Sequence, residues 1–277
     1  MRILKQYDLF ESKYPEEVLN SLKKYEKDIN EETKEWKIPD EEFQKRVDLR
    51  DTRIFTIDPS SAKDLDDALS ISKIEEDVYE IGVHIADVSY FVEQGTVLDK
   101  EARARATSVY FVHLVIPMLP RLLCENLCSL NQKVERLAFS IFFRLRKDGS
   151  LIKEFEPRIH RSIIKSCAKW NYDLVQEILD KKITEMDQIT EELRPERYSF
   201  EEMAGDCFIL NEIAHNRRKW RFDTGSISVE NPEYYFELDE NNQPMQFSES
   251  KKIESKELIE EYMLLANMLV ADHLVKY

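Results

Sequence analysis

Four aspartates, Asp58, Asp64, Asp66 and Asp67, fall within the stretch Thr56 to Ser70, which reads TIDPSSAKDLDDALS. Their spacing does not place them on one helical face, and the adjacent pair diverges on a helix or a strand alike. Only a looped backbone brings all four together, and Pro59 following a strand supplies the place for a loop to start. Clustered carboxylates repel one another, and without cations some take up a proton. Hard oxygen ligands suit Mg²⁺ or Mn²⁺. Two such ions about 4 Å apart activate a water and stabilise the leaving oxygen of a phosphodiester. An acidic surface loop, a metal site without nuclease chemistry and an aspartyl nucleophile in a phosphatase-like loop stay open on spacing alone. An EF-hand is excluded, because its glycine and closing glutamate are missing.

The elements that must position this loop are legible from periodicity. Arg53 to Ile57 reads as a strand ending at Pro59. Ala68 to Ile74 and Val78 to Ile85 read as paired strands. Leu137 to Leu145 is a strand, Lys147-Asp148-Gly149 a hairpin turn, and Leu151 to Ile164 its partner. Tyr234 to Leu238 and Met245 to Phe247 form a second pair around Glu240-Asn241-Asn242. Helical spacing marks Pro15 to Tyr25, Leu98 to Thr107, Tyr172 to Leu179, Ser199 to Trp220 and Lys256 to Val275. The fourth of these carries Met203, Phe208, Leu210 and Ile213 as apolar positions. Pro39-Asp40 opens a short helix through Phe43, and a helical turn or two follows at Arg121 to Leu127. The fold class is α+β, with antiparallel pairs between helices. Residues 1–50 read as a charged leader that packs along a main domain spanning 51–277.

Bulk composition bounds the function. The chain has 277 residues, 42% apolar, with a net charge of −15, which speaks against a general nucleic-acid binder. An enzyme that needs only a local basic channel escapes this objection. No apolar run is long enough for a membrane span. Cys124, Cys128, Cys167 and Cys207 lack zinc spacing and read as free thiols of a reducing compartment, which implies a cytoplasmic protein, or a nuclear one.

The ordered strings FTIDPSSAKDLDDALS, GVHIADVSYFV, RATSVYFVHLVIPMLPRLLCENLCSLN, RLAFSIFFRL, IIKSCAKWNYD and IEEYMLLANMLVADH closely resemble the RNB domain of the RNase II family. The wording is most similar to the eukaryotic branch that acts apart from the exosome on oligo-uridylated RNA. The resemblance implies a monomeric hydrolase that works 3′→5′ on single-stranded RNA and releases nucleoside 5′-monophosphates. It implies Mg²⁺ held by Asp58, Asp64, Asp66 and Asp67, with Asp66 the residue most directly required for chemistry. Tyr110 matches an aromatic that stacks on a 3′-terminal base, a contact any base can make. Glu260 matches a carboxylate near the terminal ribose, where a 2′-hydroxyl is read. Arg103 and Arg105, on the approach to Tyr110, are candidate phosphate contacts.

Other residues carry weaker expectations. His84 and Asp87 are either support for the metal site or buried structural polar groups. Arg217, Arg218, Lys219 and Arg221 either meet RNA or complement a helix dipole. Trp170 and Trp220 are expected as packing anchors. The family's second stacking aromatic has no counterpart at Gly225-Ser226-Ile227-Ser228-Val229. Its arginine motif, S1 domain and cold-shock domains are also not in the sequence, and the last helix has no stop signal. The chain is therefore expected to be a fragment and a poor exonuclease by itself, since a cation on transition-state charge is worth about 10³–10⁵ in rate.

Overall fold

In the computed structural model, residues 13–30, 35–112, 114–229, 234–240, 243–249 and 252–276 are described. The chain divides into two compact units, each taken by itself below: 38–87, 128–233 and 250–277 in the larger, and 1–37, 88–127 and 234–249 in the smaller.

The larger unit is built on seven strands: β1 (Val47–Leu49), β2 (Ile54–Asp58), β3 (Asp67–Glu75), β4 (Val78–Ala86), β7 (Glu135–Arg146), β8 (Arg158–Lys165) and β9 (Ala168–Asn171). Their order across the sheet is β1-β8-β7-β4-β3-β2-β9. The central pairs are antiparallel, as the alternation predicts. The two edges are parallel instead, β1 on β8 and β9 on β2. Both edge strands are too short, at three and four residues, to show a period. The partner of β7 is also shorter than the Leu151 to Ile164 expectation. Pro157 has no N–H to give a ladder, and β8 begins after it.

One face of this sheet is apolar. Leu69, Ile71, Ile81, Val83, Ile141 and Phe143 pack under α5 (Tyr172–Leu179), α6 (Phe200–Asp223) and α7 (Glu254–Leu274). Ser199 caps α6 in a capping box with Glu202. Met203, Leu210 and Ile213 are buried on it, whereas Phe208 is exposed, one residue and about 100° round from buried Cys207. The Tyr262 hydroxyl of α7 donates to the Leu210 carbonyl at 2.7 Å. Trp170 is buried, with its indole N–H on the Leu193 carbonyl, but Trp220, expected as a packing anchor, is 57% exposed, with the Arg217 guanidinium 5.9 Å from its ring centre.

The opposite face carries a buried polar chain. The Ser70 hydroxyl lies 2.9 Å from His84 Nε2, His84 Nδ1 lies 2.7 Å from Ser140, and Ser140 lies 2.6 Å from Ser162. His84 is thus a structural group that joins β3, β4, β7 and β8. Asp87 is structural too: it meets Arg46 at 2.7 Å, and Arg46 also binds Glu42 of α2 (Asp40–Lys45) at 2.6 Å. These contacts tie residues 38–50 into the sheet unit, where the sequence suggested a leader.

The smaller unit contains α1 (Glu16–Glu26), α3 (Val88–Phe91), α4 (Val97–Arg105), the hairpin β5 (Val109–Tyr110) and β6 (Val115–Ile116), and a π-helix at Leu122–Leu127. Tyr25, Trp36, Tyr90 and Phe91 form its aromatic cluster. The pair β10 (Tyr234–Leu238) and β11 (Pro244–Glu249) is antiparallel, and Asn241 and Asn242 of its expected turn lie outside the described residues. Among the described residues no helix is long and apolar enough to cross a membrane.

Candidate active site

Asp58 is the last residue of β2 and Asp67 the first of β3, so the acidic loop leaves one strand and enters its neighbour. The loop between them is pinned by its backbone. The Leu65 N–H donates to the Ser129 hydroxyl at 3.1 Å, and that hydroxyl donates to the Lys63 carbonyl at 2.8 Å. The Leu130 N–H donates to the Leu65 carbonyl, and the Ala86 N–H to the Asp66 carbonyl. Lys169 donates to the Ala62 carbonyl at 2.8 Å. The Leu65 side chain is fully buried, which anchors the loop's centre while its acidic neighbours turn outward.

The electrostatics are those of carboxylates held against their preference. The Asp58 carboxyl is pushed up to about 7, first by burial, then by Asp67; the Thr56 hydroxyl and Lys169 offset part of this, and Asp66 adds to it. Asp67 is pushed up to about 6 by burial and by Asp66. Asp66 lies at the exposed rim, yet the protein behind it and Asp64 still raise its carboxyl. The Asp58 Oδ2 atom is buried without a hydrogen-bond partner.

A closed cage of ligands is not what the chain shows. Among the described residues no three acidic, histidine or cysteine side chains stand together at metal-ligand spacing. Asp66 and Asp67 are adjacent where β3 begins, and successive side chains of a strand point to opposite faces. The donor set nevertheless fits a hard cation: it is all oxygen, two carboxyls are raised by burial and mutual repulsion, and one buried oxygen has nothing to bind.

The other expected residues differ in availability. Tyr110, in β5, is 63% exposed, as a stacking platform requires. Arg103 is exposed and pairs with Asp99 at 3.1 Å. Arg105 is largely covered: it pairs with Glu101 at 2.9 Å and lies over the Tyr14 ring at 3.8 Å. Glu260 is exposed, 3.8 Å from Arg221, while the next residue, Glu261, is buried and holds Arg221 at 2.5 Å. Arg218 also reaches Glu257, at 2.9 Å. The basic end of α6 therefore clamps α7 through Arg218 and Arg221. Arg217 turns inward and is buried.

Sequence reasoning missed Lys169 and Tyr172. Lys169 is the cation beside Asp58. Tyr172 is pushed up to about 12 by burial and by the charges of Asp58 and Asp67. The only signal was their place in IIKSCAKWNYD, since the parallel pairing that brings β9 alongside β2 leaves no local pattern.

An α+β unit with an acidic loop joining adjacent strand ends, half-buried and electrostatically strained, defines the class: a carboxylate-centred α+β domain. A family model described as the RNB domain matches residues 46–277, and the chain belongs to that family of RNase II-type exoribonucleases. It is 45% identical over 280 residues to DIS3-like exonuclease 2 of Xenopus tropicalis, covering 99% of this chain and 32% of that protein. It is 44% identical over 240 residues to a protein of Arabidopsis thaliana named inactive exonuclease DIS3L2, covering 86% of this chain and 22% of that one. In structure it resembles Mycoplasma genitalium RNase R in complex with ribose-methylated single-stranded RNA. That match has a TM-score of 0.82 at 24% identity, over 99% of this chain and 39% of that one. The chain thus spans about a third or less of the length of these curated relatives.

Proposed function

We propose that this chain carries the metal-binding part of a hydrolytic exoribonuclease that acts 3′→5′ on single-stranded RNA and releases nucleoside 5′-monophosphates. The observation that carries this reading is the acidic centre: Asp58 buried with an unpartnered oxygen at the end of β2, and Asp64, Asp66 and Asp67 on the loop leading into β3. Asp58, Asp64, Asp66 and Asp67 would hold Mg²⁺ or Mn²⁺, which supplies an activated water and stabilises the leaving oxygen. The chain's own part is to hold these carboxyls in place through the pinned loop, against a burial and mutual repulsion that a bound cation would offset. Lys169 moderates the charge at Asp58, and Tyr172, kept neutral, adds no charge. Exposed Tyr110 offers a face to a base of any type, and Glu260 an acceptor for a ribose hydroxyl.

Single-stranded RNA as substrate is supported by the RNase R complex. We propose action apart from the exosome, which the likeness to the DIS3-like exonuclease 2 proteins supports, and, as further expectations, 3′-oligo-uridylated RNA as substrate and a monomeric state. Four free cysteines, three of them buried, support a cytoplasmic or nuclear setting.

A second reading is favoured by one observation. The Arabidopsis relative named inactive is as similar as one named for activity, each 44% identical over 240 residues. A catalytically idle RNA-binding remnant therefore remains the rival. The presence of all four aspartates in this chain supports the enzyme. Mg²⁺-dependent digestion of a uniformly labelled RNA to nucleoside monophosphates, abolished by Asp66→Asn while RNA binding persists, supports the enzyme over the remnant. RNA binding without digestion, even in a chain extended at its C-terminus, supports the remnant.

A further inference from the structure

Four residues stand directly beside one another across four strands of the larger unit. Asp67 of β3 pairs with Ile85 of β4, Ile85 with Phe139 of β7, and Phe139 with Arg161 of β8. Direct neighbours in a sheet share a face, so the row runs from the acidic loop outward across about 14 Å at ordinary strand spacing. It lies on the face that packs under the helices, yet its members are open. Ile85 and Phe139 are each 38% exposed, and the Arg161 side chain 55%.

The rows on either side are closed. Leu69, Val83 and Ile141 flank it toward the helices and are buried. Leu137 and Ile163 flank it on the other side and are buried too. The cover over this face therefore has a gap one row wide, apolar in the middle, cationic at one end and acidic at the other. Arg161 has a carboxylate neighbour, Asp87, at 3.9 Å, but Asp87 is engaged more closely by Arg46 at 2.7 Å. The Arg161 charge is thus left facing solvent.

We propose that this row is a nucleotide subsite for the single-stranded RNA, with a base upstream of the cleaved bond stacked on Phe139 and a phosphate held by Arg161. The inference rests on the nuclease reading, because the acidic end must be where the chain is cut. An open aromatic face accepts any base. A guanidinium matches phosphate geometry. A strip one residue wide admits a single strand and excludes a duplex. A protein ligand is disfavoured, since the strip offers too little apolar area for a stable interface.

The test uses the 277-residue chain carrying Asp66→Asn, with Mg²⁺ present, and a fluorescent oligouridylate long enough to cross the sheet. Phe139→Leu, which keeps the packing, is expected to weaken binding about ten- to a hundredfold. Arg161→Gln is expected to weaken it and to lower the salt slope by about 1, with Arg161→Lys restoring the slope. Uridine 5′-monophosphate, which has no base upstream of a cleaved bond, is expected to bind all variants equally. Unchanged affinity and slope in both variants, with the parent still binding, overturn the subsite and leave the nuclease reading intact. Equal losses for the mononucleotide also overturn it. A parent chain with no affinity for the oligonucleotide overturns both.

Discussion

The carboxyl of Asp58, closing β2, is raised by burial and then by the carboxyl of Asp67, opening β3; the two strands meet at the acidic loop they frame. Two like charges on neighbouring strand ends are a standing cost to the fold, retained where a cation is to be bound. Asp58→Asn removes a buried charge without changing the shape. The variant is expected to be more stable than the parent in EDTA at pH 8, by about 1–3 kcal/mol, and to lose the stabilisation that Mg²⁺ gives the parent. Thermal melts with and without Mg²⁺ check this, and a variant less stable than the parent in EDTA would count against it.

His84 gives the protein a pH limit. It is fully buried between Ser70 and Ser140, and burial pushes its imidazole down to about 3, against 6.5 for an ordinary histidine. The folded chain therefore keeps His84 neutral while the unfolded chain protonates it. Its contribution to stability is full above pH 6.5 and is lost as pH falls toward 3, at about 1.4 kcal/mol per pH unit. Asp58 and Asp67, whose carboxyls are raised, take up protons in the same window with the opposite sign, so the effect is a difference: in urea denaturation between pH 7 and pH 5 the parent is expected to lose stability relative to His84→Gln, at up to about 1.4 kcal/mol per pH unit.

Gly82 faces the same polar chain. A Cβ built there meets the Ser70 hydroxyl at 2.5 Å, and His84 Nε2 and Phe142 Cε1 at 2.8 Å. Gly82→Ala is expected to cost about 1–3 kcal/mol by overpacking. An unchanged melting temperature would show that the serine–histidine chain repacks freely.

The neighbouring glutamates of α7 should separate cleanly. Glu261 is 1% exposed and paired to Arg221, so Glu261→Gln is expected to cost about 2–3 kcal/mol, discounted for the partial exposure of the arginine. Exposed Glu260 should tolerate the same change within about 0.5 kcal/mol and instead weaken selection of RNA over DNA. Loss of stability in Glu260→Gln would place it in the clamp rather than at the ribose.

Much of this was legible in the sequence because the central elements carry clean periods. The alternation of β3, β4 and β7 and the helical spacing of α5 to α7 fixed their place to within a few residues. The acidic loop was visible because its residue types are costly anywhere else. What stayed hidden was non-local. Parallel edge strands β1 and β9 are too short for a period, and Lys169 reaches the site only through that pairing. Arg218 and Arg221 read as a free basic terminus, because nothing local shows that α7 brings Glu257 and Glu261 against them. Ile85, Phe139 and Arg161 lie far apart in sequence and become one row only through sheet register.

Asp58, Asp64, Asp66 and Asp67 are proposed to form one metal-binding centre. Calorimetric titration of the 277-residue chain with Mn²⁺, alongside Asp58→Asn and Asp66→Asn, tests it most directly. Saturable binding by the parent that weakens at least tenfold in both variants is the expected result. Parent and variants binding alike, or a parent with no saturable site, would contradict the account.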